Sequence, residues 1–138
     1  MMYSLGFDVR HQYDEHIYGL QIPVVLEVAG QRSKTLANVD TGASFCIFKL
    51  EHAHALGLTI ESGFREDIGT ANGGSFTTYG HTVSLSALGF VFDVIVYFAA
   101  DVGLRRNVLG RRGWIDVLRL GIVDYERRLY ASRYEHSQ

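Results

Sequence analysis

Apolar residues in this chain come in short runs that alternate with polar ones, and sustained helical spacing is rare. With Val and Ile frequent and glycine abundant, that pattern predicts strands joined by tight turns. Residues 1–15 carry no periodicity and read as an irregular or loosely attached arm. Ile17–Val28 is a long strand candidate; Pro23, which has no N–H to donate, predicts an edge position or a bend in it. Ala29–Ser33 contains Gly30 and reads as a turn, with Lys34–Val39 as the returning strand of a hairpin. A polar loop, Asp40–Ser44, leads to a short apolar strand, Phe45–Phe48. Leu50–Leu56 has helical spacing and stops at Gly57, a residue suited to the end of a helix.

Further on, Phe64–Gly69 and Phe76–Leu85 flank the Gly- and Asn-rich segment Thr70–Ser75 and predict a second hairpin. Leu88–Phe98 is a strongly apolar strand candidate and Asn107–Leu109 a short one. In Arg111–Leu120 the apolar residues Trp114, Ile115, Val117, Leu118 and Leu120 have the spacing of one helix packed on a core. Ile122–Tyr125 and Arg128–Ala131 close the chain as a hairpin turning at Glu126 and Arg127. There is no internal repeat and no linker. The expected organisation is an N-terminal arm (1–15), one domain (16–134) and a polar tail (135–138).

Composition changes this picture little. A chain of 138 residues with 47% hydrophobic and 20% charged residues can bury a core as a single domain. Its net charge of −2 gives no electrostatic case for nucleic acid or an anionic membrane as partner. The first residues lack the apolar run of a signal peptide, and the longest apolar stretch, Phe90–Ala100, is too short to span a bilayer. The single cysteine, Cys46, allows no intrachain disulfide and suits a reducing, cytoplasmic setting. Flanked by Phe45 and Ile47, it reads as a core residue and not as a nucleophile.

Candidate chemistry begins at Asn38-Val39-Asp40-Thr41-Gly42-Ala43-Ser44, where an apolar strand runs into Asp-Thr-Gly. By itself this is compatible with a turn in which the aspartate side chain binds its own backbone. A second segment, Asn107-Val108-Leu109-Gly110-Arg111-Arg112-Gly113-Trp114, adds two apolar residues, a glycine and a helix candidate. The Arg111-Arg112 pair reads as one structural, ion-paired arginine and one solvated arginine in preference to a phosphate site. Six histidines give no chelating pattern. His52 and His54 are two apart, on opposite faces of a helix, and His11, His16, His81 and His136 are scattered, so no metal is expected.

Taken together, the two segments resemble the retropepsin-like (retroviral-type) aspartic peptidase family, in a single-domain, bacterial-type form. In that family the catalytic strand ends at Asp-Thr-Gly-Ala, and a later apolar-apolar-Gly-Arg segment crosses under it before a helix. Ile22–Ala43 has the family's hairpin-then-aspartate layout, and Thr70–Phe76 sits where the family carries its glycine-rich flap. The resemblance implies an all-β fold: a closed β-barrel, half of an acid protease, with one short C-terminal-side helix, working as a homodimer. It implies an aspartic endopeptidase acting on extended polypeptide, without a cofactor. The alternative is a non-catalytic module of the same fold that dimerises or binds peptide.

That chemistry holds a water between two carboxylates, one ionised to take its proton and one protonated to polarise the scissile carbonyl. Two close carboxylates cannot both ionise cheaply, an effect for which aspartic proteases are the established illustration. No other aspartate here is followed by Thr-Gly or Ser-Gly, so the second carboxylate has to be Asp40 of another copy. On the same resemblance, Asp40, Thr41 and Gly42 form the catalytic motif, Thr41 bracing the two loops across the axis. Ala43 and Ser44, with the flap tip Asn72, Gly73 and Gly74, would bind substrate. Val108, Leu109, Gly110 and Arg111 would support the catalytic loop. Two departures stand out: Ser44 takes a place where many relatives have an acidic residue, and the flap tip is polar.

Overall fold

Alternation carries about half of the chain into strands, and most of the glycines fall between them. The computed structural model describes residues 1–17 and 19–134. In chain order the elements are strand β1 (Val9–Gln12), β2 (Gln21–Val28), β3 (Gln31–Val39), β4 (Ile47–Phe48), helix α1 (Leu50–Ala55), β5 (Phe64–Gly69), β6 (Ser75–Ala87), β7 (Phe90–Ala99), β8 (Val108–Leu109), β9 (Leu118–Val123) and β10 (Arg128–Arg133). Seven strands form one sheet in the order β2-β3-β8-β4-β7-β6-β5, and an additional β2–β6 pairing closes it into a barrel. A second sheet, of three strands, has the order β1-β10-β9.

The expected hairpins form. Ala29 and Gly30 turn β2 into β3 with positive φ, 49° and 83°, the conformation whose twist matches paired strands. Pro23 pairs across to Leu36 of β3 but lies outside the stretch of β2 that also pairs with β6. It therefore sits where an absent N–H costs least. Ile22, Val24 and Leu26 point from β2 into the core, where they meet Leu85, Val96, Phe98, Leu109, Trp114 and Leu129. Cys46 is fully buried among them, and Trp114 is a core residue.

The structure corrects the sequence reading in three places. Residues 1–15 are not irregular throughout: Val9–Gln12 pairs in register with Arg128–Ala131, and the Phe7 ring packs at a tilt against Tyr130. Four residues are too few for their alternation to stand out without the partner strand. Arg111–Leu120 is not a helix: Ile115–Val117 makes a single 3-10 turn and Leu118 opens β9. Leu118 and Leu120 belong to a two-residue alternation, paired with Arg133 and Ala131 of β10. Sheet pairing wins over the helical spacing read from Trp114 to Leu120, helped by Gly113 with its φ of +107°. The only α-helix among the described residues is thus α1, not a C-terminal-side one. The strand expected from Ile17 begins instead at Gln21, as β2. The polar tail 135–138, with His136, lies outside the described residues.

Candidate active site

Asp40 follows directly on β3, and the loop it opens is tied to the chain around β8. β8 lies between β3 and β4, which are consecutive in sequence, running parallel to β3 and antiparallel to β4. The chain from β3 to β4 therefore straddles β8. The Asp40 N–H donates to the Leu109 carbonyl at 3.0 Å, and the Arg111 and Arg112 N–H groups donate to the carbonyls of Ala43 and Ser44, both at 2.9 Å. Gly110 lies so close under the loop that a Cβ there would meet the Phe45 carbonyl oxygen at 2.2 Å. Only glycine fits. Val108, Leu109, Gly110 and Arg111 are thus brought against Asp40–Ser44 by backbone bonds and by the core side chain of Leu109.

The carboxylate itself is oriented locally. Its Oδ1 accepts the Gly42 N–H at 2.9 Å, and the Ala43 N–H closes the turn on the Asp40 carbonyl at 3.1 Å. This is the aspartate-bound turn that the motif alone allows. The other oxygen, Oδ2, has no hydrogen-bond partner among the described residues. Asp40, Thr41 and Gly42 are all exposed in the single chain. One carboxylate oxygen is fixed and the other is open to a water or to a second carboxyl group.

Asn72, Gly73 and Gly74 form the exposed tip of the β5–β6 hairpin. Thr70 closes that tip: its N–H donates to the Gly74 carbonyl at 2.8 Å and its hydroxyl to Asn72 Oδ1 at 2.5 Å. Gly73 has a φ of +86°. No hydrogen bond joins the tip to the Asp40 loop among the described residues. Between the tip end of this hairpin and the loop before β8 lies a cavity of about 380 Å³, mostly apolar, lined by Phe76, Leu104 and Arg105 among others. Sequence reasoning passed over Leu104 and Arg105, because the Ala100–Arg106 loop has no motif; only its place just before Asn107 could have pointed to it.

A buried polar network also escaped the sequence. Asn107 donates from Nδ2 to Thr35 Oγ1 at 2.9 Å and to the Leu36 carbonyl at 3.1 Å, and its Oδ1 accepts the Lys49 N–H. Its carbonyl takes the Asn38 N–H at 2.8 Å, two residues before Asp40. His52 joins the network through Ser33 Oγ at 2.8 Å from Nδ1 and Asn107 Nδ2 at 3.2 Å from Nε2. Asn107 Nδ2 is a donor only, and its two hydrogens are shared among Thr35 Oγ1, the Leu36 carbonyl and His52 Nε2; with Nε2 as acceptor, Nδ1 carries the proton toward Ser33 Oγ. Burial lowers the His52 pKa, which Lys49 lowers further and Glu51 opposes. His54, two residues on, is exposed. Both ring nitrogens of His52 are engaged, and no group of three His, Cys, Asp or Glu among the described residues is placed to hold a metal. Burial pushes the Cys46 thiol up to about 12, so it is no nucleophile.

Neither arginine after Gly110 forms an ion pair among the described residues, against the expectation of one structural pair. Arg112 lies over the Phe45 ring, 5.7 Å from its centroid.

A carboxylate on a strand-end Asp-Thr-Gly turn, held by a strand threaded between its own neighbours, is the arrangement of an acid protease half. Residues 24–112 match the family model described as aspartyl protease, and the chain belongs to that family. The fold is similar to a retropepsin-like aspartic protease from Rickettsia conorii, at 20% identity and a TM-score of 0.61, over 91% of this chain and 98% of that one. It is similar also to the EIAV protease complexed with the inhibitor HBY-793, at 18% identity and a TM-score of 0.54, over 72% of this chain and 88% of that one. No curated protein sequence matches the chain. The fold is therefore all-β and retropepsin-like.

Proposed function

We propose that the chain is an aspartic endopeptidase that hydrolyses peptide bonds in extended polypeptide, using Asp40 together with Asp40 of a second copy. The observation that carries this reading is the Asp40 carboxylate, fixed through Oδ1 by the Gly42 N–H and free at Oδ2 on an exposed loop. A second copy placed across a two-fold axis covers that loop and supplies the missing carboxyl group. The ionised member of the pair takes a proton from the bound water; the protonated member donates to the scissile carbonyl as the tetrahedral centre forms. Thr41 braces the two loops. Gly42 to Ser44 lie along the extended substrate, which binds as an added strand. Asn72, Gly73 and Gly74 form the tip that closes over it and excludes water.

The test is cleavage of a mixed peptide library across acidic to neutral pH, by the wild-type chain and by Asp40→Asn, with the solution mass of each measured in parallel. Asparagine keeps an oxygen for the Gly42 N–H, so the loop should survive while the chemistry is lost. The reading expects a dimer, cleavage by the wild type, and none by the variant. Cleavage that persists in Asp40→Asn contradicts the mechanism. Peptide binding by a wild-type dimer that never cleaves would assign the non-catalytic module instead.

A further inference from the structure

Ser44, Arg111, Arg112 and Asp116 line a pocket of about 280 Å³ beside the catalytic loop. Two arginines line it, and neither forms an ion pair among the described residues. The one carboxylate in the lining, Asp116, accepts the Gly113 N–H at 3.1 Å through Oδ1, so the lining sets two arginines against this one aspartate. Arg112 is partly committed to the Phe45 ring, which leaves Arg111 as the cation with no partner. The backbone bonds Arg111 N–H to Ala43 carbonyl and Arg112 N–H to Ser44 carbonyl fix both residues against the loop. They are thus tied to the same loop that carries Asp40.

We infer that this pocket is a specificity site for an acidic side chain of the substrate, with the Arg111 guanidinium as its cation and the Ser44 hydroxyl as a second donor. The inference rests on the peptidase reading above. Ser44 is four residues from Asp40, at most about 14 Å along an extended chain. A bound peptide advances by the same step, so the pocket meets a side chain within about four residues of the scissile bond. Guanidinium and carboxylate match in a planar, two-pronged pairing that a neutral amide reproduces poorly. Covering by substrate also removes the solvent screening that weakens such a pair on a free surface.

The test compares peptides identical except for Glu or Gln at one position, stepped along either side of the cleavage site. Two readouts are taken: kcat/KM with the wild-type chain, and binding of fluorescently labelled peptides to Asp40→Asn. The ratio within one protein is the measure, so a general loss of activity does not imitate the effect. The expected result is a Glu-over-Gln preference of about fivefold or more at one position. It should fall to parity in Arg111→Gln and reverse in Ser44→Asp, which supplies the arginine with a carboxylate of its own. A ratio of one at every position, or a preference unchanged in both variants, overturns the inference. So does an Arg111→Gln chain that dissociates into monomers while its ratio stays put, because the arginine then serves the second copy. Failure of the peptidase reading is distinguishable: the wild type cleaves neither peptide, and the binding ratio still decides whether the pocket selects an acid.

Discussion

The N–H of Asp40 donates to the carbonyl of Leu109 at 3.0 Å, so the aspartate of one motif hangs on the apolar pair of the other. Leu109 is fully buried and the residue after it, Gly110, is pressed against the Phe45 and Ala43 carbonyls. Gly110→Ala is expected to destabilise the fold by about 3 kcal/mol or more, since the obstruction is backbone and cannot rotate away. Leu109→Ala is expected to cost about 2–5 kcal/mol through the cavity it leaves. Urea unfolding monitored by tryptophan fluorescence measures both, because Trp114 is in the same core. A Gly110→Ala chain as stable as wild type would contradict the packing described.

Gly42→Ala tests the carboxylate's orientation instead of the fold. A Cβ at Gly42 would lie 3.2 Å from Asp40 Oδ1, tight enough to push the carboxylate aside, while nothing else crowds it. The expected outcome is an unchanged melting temperature with kcat reduced about tenfold or more, as misplaced catalytic groups do. A loss confined to KM would assign Gly42 to substrate binding alone.

Acid should loosen the structure at His52. Its folded pKa is depressed below the ordinary 6.5, first by burial. The unfolded chain therefore takes up the proton more readily, and stability is fully present above pH 6.5 and lost as the pH falls toward the folded value. Protonating Nε2 turns it toward the Asn107 Nδ2 donor and breaks that bond. Stability measured against pH should show this loss in wild type and not in His52→Gln. NMR should find the proton on Nδ1 at neutral pH. A ring protonated on Nε2 would contradict the assignment of the network.

How much of this was legible in the sequence differs from place to place. The hairpins at Gly30 and Thr70–Ser75 were, because alternation and turn residues are local signals. The supporting strand was legible only through its motif, since Val108–Leu109 is too short to show a period. The helix expected over Arg111–Leu120 failed because one pattern of apolar residues fits two periods, and the partner strand that decides between them is remote. The His52–Ser33–Asn107 network had no signal at all: its members lie far apart in the chain and meet only through the barrel. Arg111 was visible as a residue, but its lack of an ion pair is a three-dimensional fact.

The N-terminal strand supports a further prediction. Val9–Gln12 covers one edge of β10, and Asp8 binds Ser132 through both its N–H and its carboxylate. Deleting residues 1–12 should lower the melting temperature and expose the β10 edge to aggregation. Light scattering during a thermal ramp would show it. A truncated chain that stays as stable and as soluble as the full one would mean that the strand is dispensable.

The central claim is that each active site needs one Asp40 from each of two copies. The direct measurement mixes wild-type chains with folded Asp40→Asn chains in about ninefold excess, lets the subunits exchange, and reads cleavage per wild-type chain. If the carboxylates act as a pair, random pairing leaves activity per wild-type chain at about one-tenth of its unmixed value. Activity per wild-type chain that is unchanged by the excess would mean that a single Asp40 suffices, and would contradict the account.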